Sequence, residues 1–267
     1  IVLTGSSIGS ALGNYFRLNY RNVTLLIGCG AAGAVAGIFK APLAGIVFTL
    51  EVLLLDLTMS SIVPLMISAV TAATVAYFLM GEKVLLSFSV VEAFNIKNIP
   101  WYLVLGIITG LVSVLFSKTT LYLERQYSKI RNTYVRLITG GAALALLIFF
   151  FPPFYSEGYD TIRELLEGRS LTVFENSPFS GFGGTFAVYM LFFIGLVLLK
   201  AVASSSTNGA GGVGGIFAPT LFTGGVTGFA VYIILNQFAG IEIADNRFVL
   251  VGMAGAMAGV MHAPLLG

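Results

Sequence analysis

Charged side chains are scarce in this sequence. Asp, Glu, Lys and Arg make up 10% of its 267 residues, whereas soluble domains carry about 25%. Hydrophobic residues make up 57%, and the mean hydropathy is +0.94. A soluble fold of this size cannot hide so much apolar surface from water. The composition therefore excludes an ordinary soluble domain and predicts an all-α integral membrane protein whose solvent is lipid.

Cysteine and histidine are almost missing. Cys29 and His262 are the single residues of their types, which excludes an internal disulfide and disfavours a metal centre built on His or Cys. The net charge of +2 comes without a basic stripe, so we expect no nucleic-acid partner. We also expect no enzyme activity, no catalytic residue and no cofactor.

The few charges leave long uncharged runs between them. Each run is long enough for a helix to cross a hydrocarbon core of about 30 Å. The runs cover residues 57–81, 98–117, 137–156, 177–199 and 201–241. Basic residues cluster from Lys118 to Arg136, between two of the runs. By the positive-inside rule, this connection is cytoplasmic.

Lipid offers no hydrogen-bond partner to the backbone, so we expect helices throughout. Apolar runs and helix breakers predict them near residues 5–16, 23–38, 42–55, 59–80, 100–130, 132–151, 159–167, 184–203, 218–237 and 247–261. Several are too short to span, which indicates helices that stop part-way through the bilayer. The spacing of Gly106 and Gly110 indicates close helix packing, because small residues let helix backbones approach.

The sequence contains an internal repeat. Residues 30–45 read GAAGAVAGIFKAPLAG and residues 252–267 read GMAGAMAGVMHAPLLG, which agree at ten of sixteen positions without a gap. A weaker match at nearly the same separation pairs Gly5 and Gly9 with Gly224 and Gly228. Two such halves predict a transporter or channel with pseudo-two-fold symmetry and an ion site where the halves meet.

A glycine-rich stretch at 204–219, SSSTNGAGGVGGIFAP, lies between two apolar helices. Pro219 suits the first turn of the second helix, where its missing N–H would have no partner anyway. The glycines leave the backbone N–H groups of Gly215, Ile216 and Phe217 free to point at a ligand. A helix N-terminus carries about half a positive charge. The stretch therefore predicts an anion site without a charged side chain, the alternative being a flexible loop between two helices.

Two segments resemble the CLC family of chloride channels and proton-coupled chloride exchangers. GGIFAP at 214–219 is similar to the family's anion-binding signature, and GIFKAPLAGIVFTLEV at 37–52 resembles the segment after its gating-glutamate motif. The resemblance covers essentially the whole chain. It implies a bundle of tilted and broken transmembrane helices in inverted repeats, with residues 1–97 ending the first repeat and residues 98–267 forming most of the second.

The same resemblance implies transmembrane chloride transport. The backbone amides of Ile216 and Phe217 would donate to a central chloride. The protein would be a homodimer with one pore per subunit, and residues 42–81 would contribute to the dimer contact. We expect it in the lipid bilayer of a bacterial inner membrane. The family's serine motif and gating glutamate are expected before Ile1, and its pore tyrosine after Gly267, so we expect truncation at both ends.

Four further residues are candidates for the pore or a proton path. Glu51 lies in an apolar helix, where a carboxylate is costly and usually functional. In the proton-coupled branch a proton-relaying glutamate resembles the position of Val52, and valine carries no proton. Ser204 and Ser205 begin the glycine-rich stretch. The hypotheses left open are a passive chloride channel, a proton-coupled exchanger, a fluoride-selective member, and an aquaporin-like pore, although neither Ala-Pro-Leu triplet has an aquaporin's asparagine.

Overall fold

A computed structural model of the chain describes residues 1–53, 58–81, 86, 96–182, 185–239 and 245–264. Within these ranges the regular structure consists of α-helices and short 3-10 helices, without a strand. This confirms the all-α fold class. By its internal contacts the chain divides into two compact units. The first is residues 1–86 with 262–266, and the second is residues 87–261 with 267.

The first unit is arranged around one helix. Its α-helices are α1 (Val2–Tyr15), α2 (Tyr20–Phe39), α3 (Pro42–Val52) and α4 (Met59–Met80). Helix α2 contacts the other three. Its start is capped by Asn19, whose side-chain oxygen accepts a hydrogen bond from the Asn22 N–H at 3.0 Å. Small buried residues such as Cys29 and Ala32 on α2 pack with Leu65 on α4, so the helices lie close together.

The second unit has α10 at its centre. Its α-helices are α5 (Ile99–Ser128), α6 (Thr133–Phe150), α7 (Tyr159–Leu166), α8 (Ser170–Glu175), α9 (Phe186–Gly209), α10 (Phe217–Ala239) and α11 (Asp245–Met261). Helix α10 contacts α5, α7, α9 and α11. Its Phe229 packs on Phe193 of α9, with ring centroids 4.9 Å apart. The glycine-rich stretch therefore leads into the most enclosed helix of this unit.

Six described helices are long and apolar enough to cross a bilayer, judged by length and composition. They are α2, α4 from Ser60 to Met80, α5, α6, α9, and α10 from Phe217 to Gln237. The apolar helices α3 and α11 are shorter, as expected for helices that stop part-way. In the most apolar 18-residue stretch of each helix, 67% of the residues are buried in α10 and 6% in α6. Helix α10 therefore faces protein, whereas α6 leaves most of its surface for lipid.

The predicted helices are all present, and apart from the end of α9 their bounds agree within three residues. The sequence does not predict α8, a single short turn of helix. Helix α3 ends at Val52, earlier than predicted. Residues 54, 55 and 184 of the predicted helices lie outside the described residues, as does Leu265 of the second Ala-Pro-Leu triplet.

Helices α1 and α2 meet backbone to backbone. A Cβ atom added to Gly5 would overlap the backbone oxygen of Gly30, and one added to Gly30 would overlap that of Gly5. A Cβ atom on Gly9 would overlap the backbone oxygen of Leu26. These positions require glycine because no side-chain atom fits between the two helices.

Helices α10 and α11 of the second unit show the same arrangement. A Cβ atom on Gly224 would overlap the backbone oxygen of Gly252, and a Cβ atom on Gly252 would overlap the backbone oxygen of Gly224. A Cβ atom on Gly228 would overlap the backbone oxygen of Phe248. The glycines that match between the two repeats in sequence thus make matching contacts within their own units.

The two repeats also share an uncommon backbone conformation. Helix α2 is followed by Lys40 at φ 51°, and α11 is followed by His262 at φ 55°. Residues other than glycine rarely adopt positive φ. Both residues stand directly before an Ala-Pro sequence. The similarity of the repeats therefore extends from residue identity to backbone geometry.

Candidate anion site

The site begins where α9 ends. Helix α9 continues to Gly209, so Ser204 and Ser205 are helical and not part of a loop as the sequence predicts. Three hydrogen bonds close its last turn: the N–H of Ala210 donates to Ser206 (3.0 Å), that of Gly211 to Asn208 (3.1 Å), and that of Gly212 to Thr207 (2.9 Å). The non-helical connection is thus residues 210–216, called the glycine loop below.

Helix α10 starts directly after the glycine loop. The carbonyl of Ile216 accepts the N–H of Thr220 at 3.0 Å and the Thr220 hydroxyl at 2.6 Å. Pro219 is the third residue of the helix, which confirms its place in the first turn. The first N–H groups of an α-helix have no acceptor inside the helix. The start of α10 therefore carries donors and a positive partial charge.

The glycine loop presents free donors next to open space. In the described part of the chain, the N–H groups of Gly214, Gly215 and Ile216 donate to no acceptor. Nothing lies within 4 Å of the position that a Cβ atom on Gly215 would occupy. At Gly214 that position is filled by the side-chain oxygen of Asn208. An anion can therefore approach Gly215 and Ile216 from one side.

Two residues from other helices hold the end of α9. The Tyr127 hydroxyl of α5 donates to Ser206 Oγ at 3.2 Å, and the Tyr127 ring fills the space beside Gly209. Arg136 of α6 places Nη2 3.7 Å from where a Cβ atom on Gly211 would lie. A cation at a helix C-terminus interacts favourably with the helix dipole. Both residues thus help to define where the glycine loop begins.

The sequence does not single out Tyr127, Asn208 or Arg136 as site residues. Arg136 shows in the sequence only as a member of the basic cluster that indicates the cytoplasmic side. Asn208 lies inside the glycine-rich stretch, but no spacing distinguishes it from its neighbours. Tyr127 and Arg136 reach the end of α9 and the glycine loop because α5 and α6 pack on α9, which local sequence does not encode.

The remaining candidates fall into two groups. Ser205 is 0% exposed, and its Oγ has no partner in the described part of the chain; Ser204 is half-buried beside it. Both belong to the second unit, with Gly215, Ile216 and Phe217. Glu51 and Val52 are half-buried in the last turn of α3, in the first unit. The structure thus brings the serines and the glycine loop together within one unit.

Comparison with known proteins identifies the family. The model of the voltage gated chloride channel family matches residues 1–267. The H(+)/Cl(-) exchange transporter ClcA of Vibrio cholerae is 28% identical over 275 residues, covering 100% of this chain and 55% of ClcA. The voltage-gated ClC-type chloride channel ClcB of Escherichia coli is 28% identical over 250 residues, covering 91% of this chain and 54% of ClcB.

Solved structures agree with the family model. A CLC-type fluoride/proton antiporter superposes with a TM-score of 0.74 at 26% identity, covering 99% of this chain and 62% of the antiporter. A slow cyanobacterial Cl-/H+ antiporter shares the fold, with a TM-score of 0.67 at 20% identity and coverage of 99% and 59%. The chain spans about half of the ClcA and ClcB lengths. The match over its full length shows that this chain belongs to the voltage gated chloride channel family.

Proposed function

We propose that this protein moves chloride or a similar small anion across a membrane. The observation that carries the proposal is the glycine loop, whose free N–H groups at Gly215 and Ile216 face open space at the start of α10. Backbone partial charges bind an anion weakly enough for it to leave again, which conduction requires. Gly215, Ile216 and Phe217 are the proposed anion-binding residues.

The proposed action is transport without chemical turnover. The site offers backbone donors, and neither a nucleophile nor a general base lies among Gly215, Ile216 and Phe217. Ser204 and Ser205 lie one to two turns before the end of α9 and are proposed to line the approach to the loop. No cofactor is needed, because the anion itself is the only ligand that the mechanism handles.

Proton coupling separates two forms of this function. Val52 has no proton to exchange, whereas Glu51 is adjacent but points about 100° away around the helix. ClcA is named as an H(+)/Cl(-) exchanger and ClcB as a channel. We propose passive chloride movement. In the proton-coupled form of this function, Glu51 would be the candidate in α3 for the proton path. Coupling would appear as uphill proton movement driven by a chloride gradient in proteoliposomes.

A fluoride-selective transporter is the second candidate. Its support is the similarity to the CLC-type fluoride/proton antiporter, at 26% identity over 99% of this chain. Selectivity decides between the two, because a chloride transporter moves chloride and bromide at least as fast as fluoride. If neutral solutes such as water or glycerol pass and anions do not, the result would instead support an aquaporin-like pore.

The test of the anion site is the substitution Gly215→Val in the full-length protein, reconstituted in liposomes. Nothing lies within 4 Å of the position of a Cβ atom on Gly215, so the valine side chain begins in the open space from which the anion would approach. We expect chloride flux to fall about tenfold or more, equivalent to ~1.4 kcal/mol of lost anion stabilisation.

The matched control is Gly141→Val in α6. Gly141 also has nothing within 4 Å of its Cβ position and lies on an exposed face of α6, whereas its neighbour Gly140 packs against Ala210 of the glycine loop. We expect normal flux from this variant. Unchanged flux in the Gly215→Val protein would refute the proposed site, and an absence of anion flux from the unmodified protein would refute the proposed function.

We also propose a homodimer whose contact involves α3 and α4. Several apolar side chains on α4 are about half exposed or more: Val63, Met66, Ile67 and Val70. In a bilayer such a face is covered by lipid or by a second copy of the chain. The mass of the detergent-solubilised protein by light scattering distinguishes a dimer from a monomer.

A further inference from the structure

Lys200 stands alone in the sequence and is deeply buried in the structure. It is the one charged residue between Glu175 and Glu242. It lies in α9 and is 3% exposed. At 1.5 Å per residue, it is about 21 Å from the start of α9 and about 13 Å from its end. Ionisable residues at such depth are costly and usually functional.

The surroundings of Lys200 leave its charge largely uncompensated. Its Nζ lies 4.3 Å from the ring centroid of Phe222 and 5.6 Å from that of Phe154. In the described part of the chain, no carboxylate lies within 4 Å of Nζ and no acceptor forms a hydrogen bond with it. Aromatic faces attract a cation but do not neutralise it. A buried cation held in this way attracts a mobile anion.

Glu157 is the carboxylate that acts on this cation through space. It lies in the connection between α6 and α7 and accepts a hydrogen bond from the Ser156 hydroxyl. That bond, with a smaller contribution from the positive charge of Lys200, lowers the pKa of Glu157. Glu157 is therefore ionised near neutral pH and partly offsets the charge of Lys200 from outside salt-bridge distance.

Lys200 lies near the candidate anion site. Phe222, whose ring it contacts, is five residues after Phe217 at the start of α10. The backbone of Phe222 is therefore about 7 Å along the helix axis from the start of α10, and Lys200 lies beside this part of the helix. In a protein interior of low dielectric constant, a unit charge acts on an ion several ångströms away more strongly than it does in water. The cation of Lys200 and the partial charge of the α10 N-terminus thus attract the same anion.

The geometry points to Lys200 as a second anion-attracting residue of the transport path, acting on small monovalent anions together with the α10 N-terminus. The inference depends on the proposed anion transport. The competing role is structural: Lys200 would only pack between Phe154, in the segment that joins α6 and α7, and Phe222 of α10. The two roles differ in what they require, because attraction needs the charge, whereas packing needs the aliphatic stem.

The test measures chloride flux against chloride concentration for the full-length protein in liposomes. Lys200→Met keeps the stem and removes the charge, and Lys200→Arg keeps the charge. We expect the half-saturating chloride concentration to rise roughly tenfold in Lys200→Met, the order expected from a unit charge at this range. In Lys200→Arg we expect it to change by less than about twofold. Lys118→Met, which removes an exposed lysine of α5, is the matched control and keeps normal half-saturation.

Glu157→Gln provides an independent arm that leaves Lys200 in place. Removal of the opposing charge should lower the half-saturating concentration by about two- to threefold. Unchanged half-saturation in Lys200→Met, or equal damage in Lys200→Met and Lys200→Arg, would overturn the inference in favour of packing. If Lys200→Met does not fold, a half-saturating chloride concentration that is unchanged in Glu157→Gln overturns the inference instead. An unmodified protein without anion flux contradicts the proposed function, which is a separate failure.

Discussion

Glycines in this chain differ in what lies beside them. Gly5 and Gly228 lie against the backbone of a neighbouring helix, so that a Cβ atom has no room. Gly106 and Gly110 have nothing within 4 Å of the same position. The GxxxG spacing of these two residues predicts close packing, and in the described part of the chain that prediction is wrong. Spacing shows that two glycines share a helix face, but not whether another helix lies on it.

This difference predicts opposite effects of one substitution. Gly228→Ala forces α10 and α11 apart and should destabilise the protein by ~1–3 kcal/mol, the usual range for overpacking. Gly106→Ala adds a methyl group in open space and gains helix propensity of up to ~1 kcal/mol, so we expect equal or higher stability. Thermal unfolding of the two proteins in detergent measures both. Equal unfolding temperatures would show that α10 and α11 separate at little cost.

Helix α9 continues beyond the residue at which its sequence predicts an end. Ser, Thr and Asn favour caps and turns because their side chains compete for backbone groups, so the sequence predicts the end near residue 203. In the structure Thr207 donates its hydroxyl to the carbonyl of Ala203 at 3.1 Å and the helix continues to Gly209. Thr223 and Thr227 of α10 do the same with Pro219 and Thr223. The threonine hydroxyl bonds to the backbone of its own helix, and the contact of Tyr127 with Ser206 holds this end, so local sequence misses the boundary.

The end of α7 carries a pH-dependent contact. Arg169 donates from Nε and its second terminal nitrogen to Glu164, at 2.7 and 3.2 Å. This hydrogen bond lowers the pKa of Glu164. The stabilisation is therefore present above the unfolded-state pKa of about 4.3 and is lost as pH falls through the folded-state value.

We expect Glu164→Gln to lower the unfolding temperature slightly at pH 7. The difference from the unmodified protein should vanish at an acidic pH below the lowered pKa of Glu164, where Glu164 is protonated in both folded and unfolded chains. Thermal unfolding at the two pH values measures it. A difference that persists at low pH would mean that Glu164 acts through packing and not through its charge.

At the scale of the whole molecule, much of the organisation could be predicted from sequence. The repeat at residues 30–45 and 252–267 is visible in the sequence, and in the structure its matched glycines make matching helix contacts within each unit. Six apolar helices of spanning length among the described residues, together with the bacterial relatives, identify a multi-pass protein of the bacterial inner membrane. The contacts of Arg136 and Lys200 could not be predicted, because they depend on which helices pack together. The boundary between repeats at residues 97 and 98 stays a prediction.

The basic cluster predicts which side of the membrane each end of α6 faces. Ser128 is the last residue of α5, within the basic cluster and directly before the connection to α6. Tyr155 follows α6 and is 74% exposed. Helix α6 has 18 residues and is long and apolar enough to cross the bilayer once. In intact cells, a membrane-impermeant maleimide should label Tyr155→Cys, and it should label Ser128→Cys only after permeabilisation. The unmodified protein is the control, because Cys29 is buried. Labelling of both variants from the same side would contradict this topology.

The glycine contacts between α1 and α2, and between α10 and α11, have a consequence for movement. Two helices that touch through backbone atoms have no side chains between them that could change rotamer and allow them to slide. A shift along the axis would bring a residue with a Cβ atom against the neighbouring backbone oxygen. Each pair therefore moves as one rigid body. Any rearrangement during the proposed transport falls to the segments between the pairs and to individual side chains.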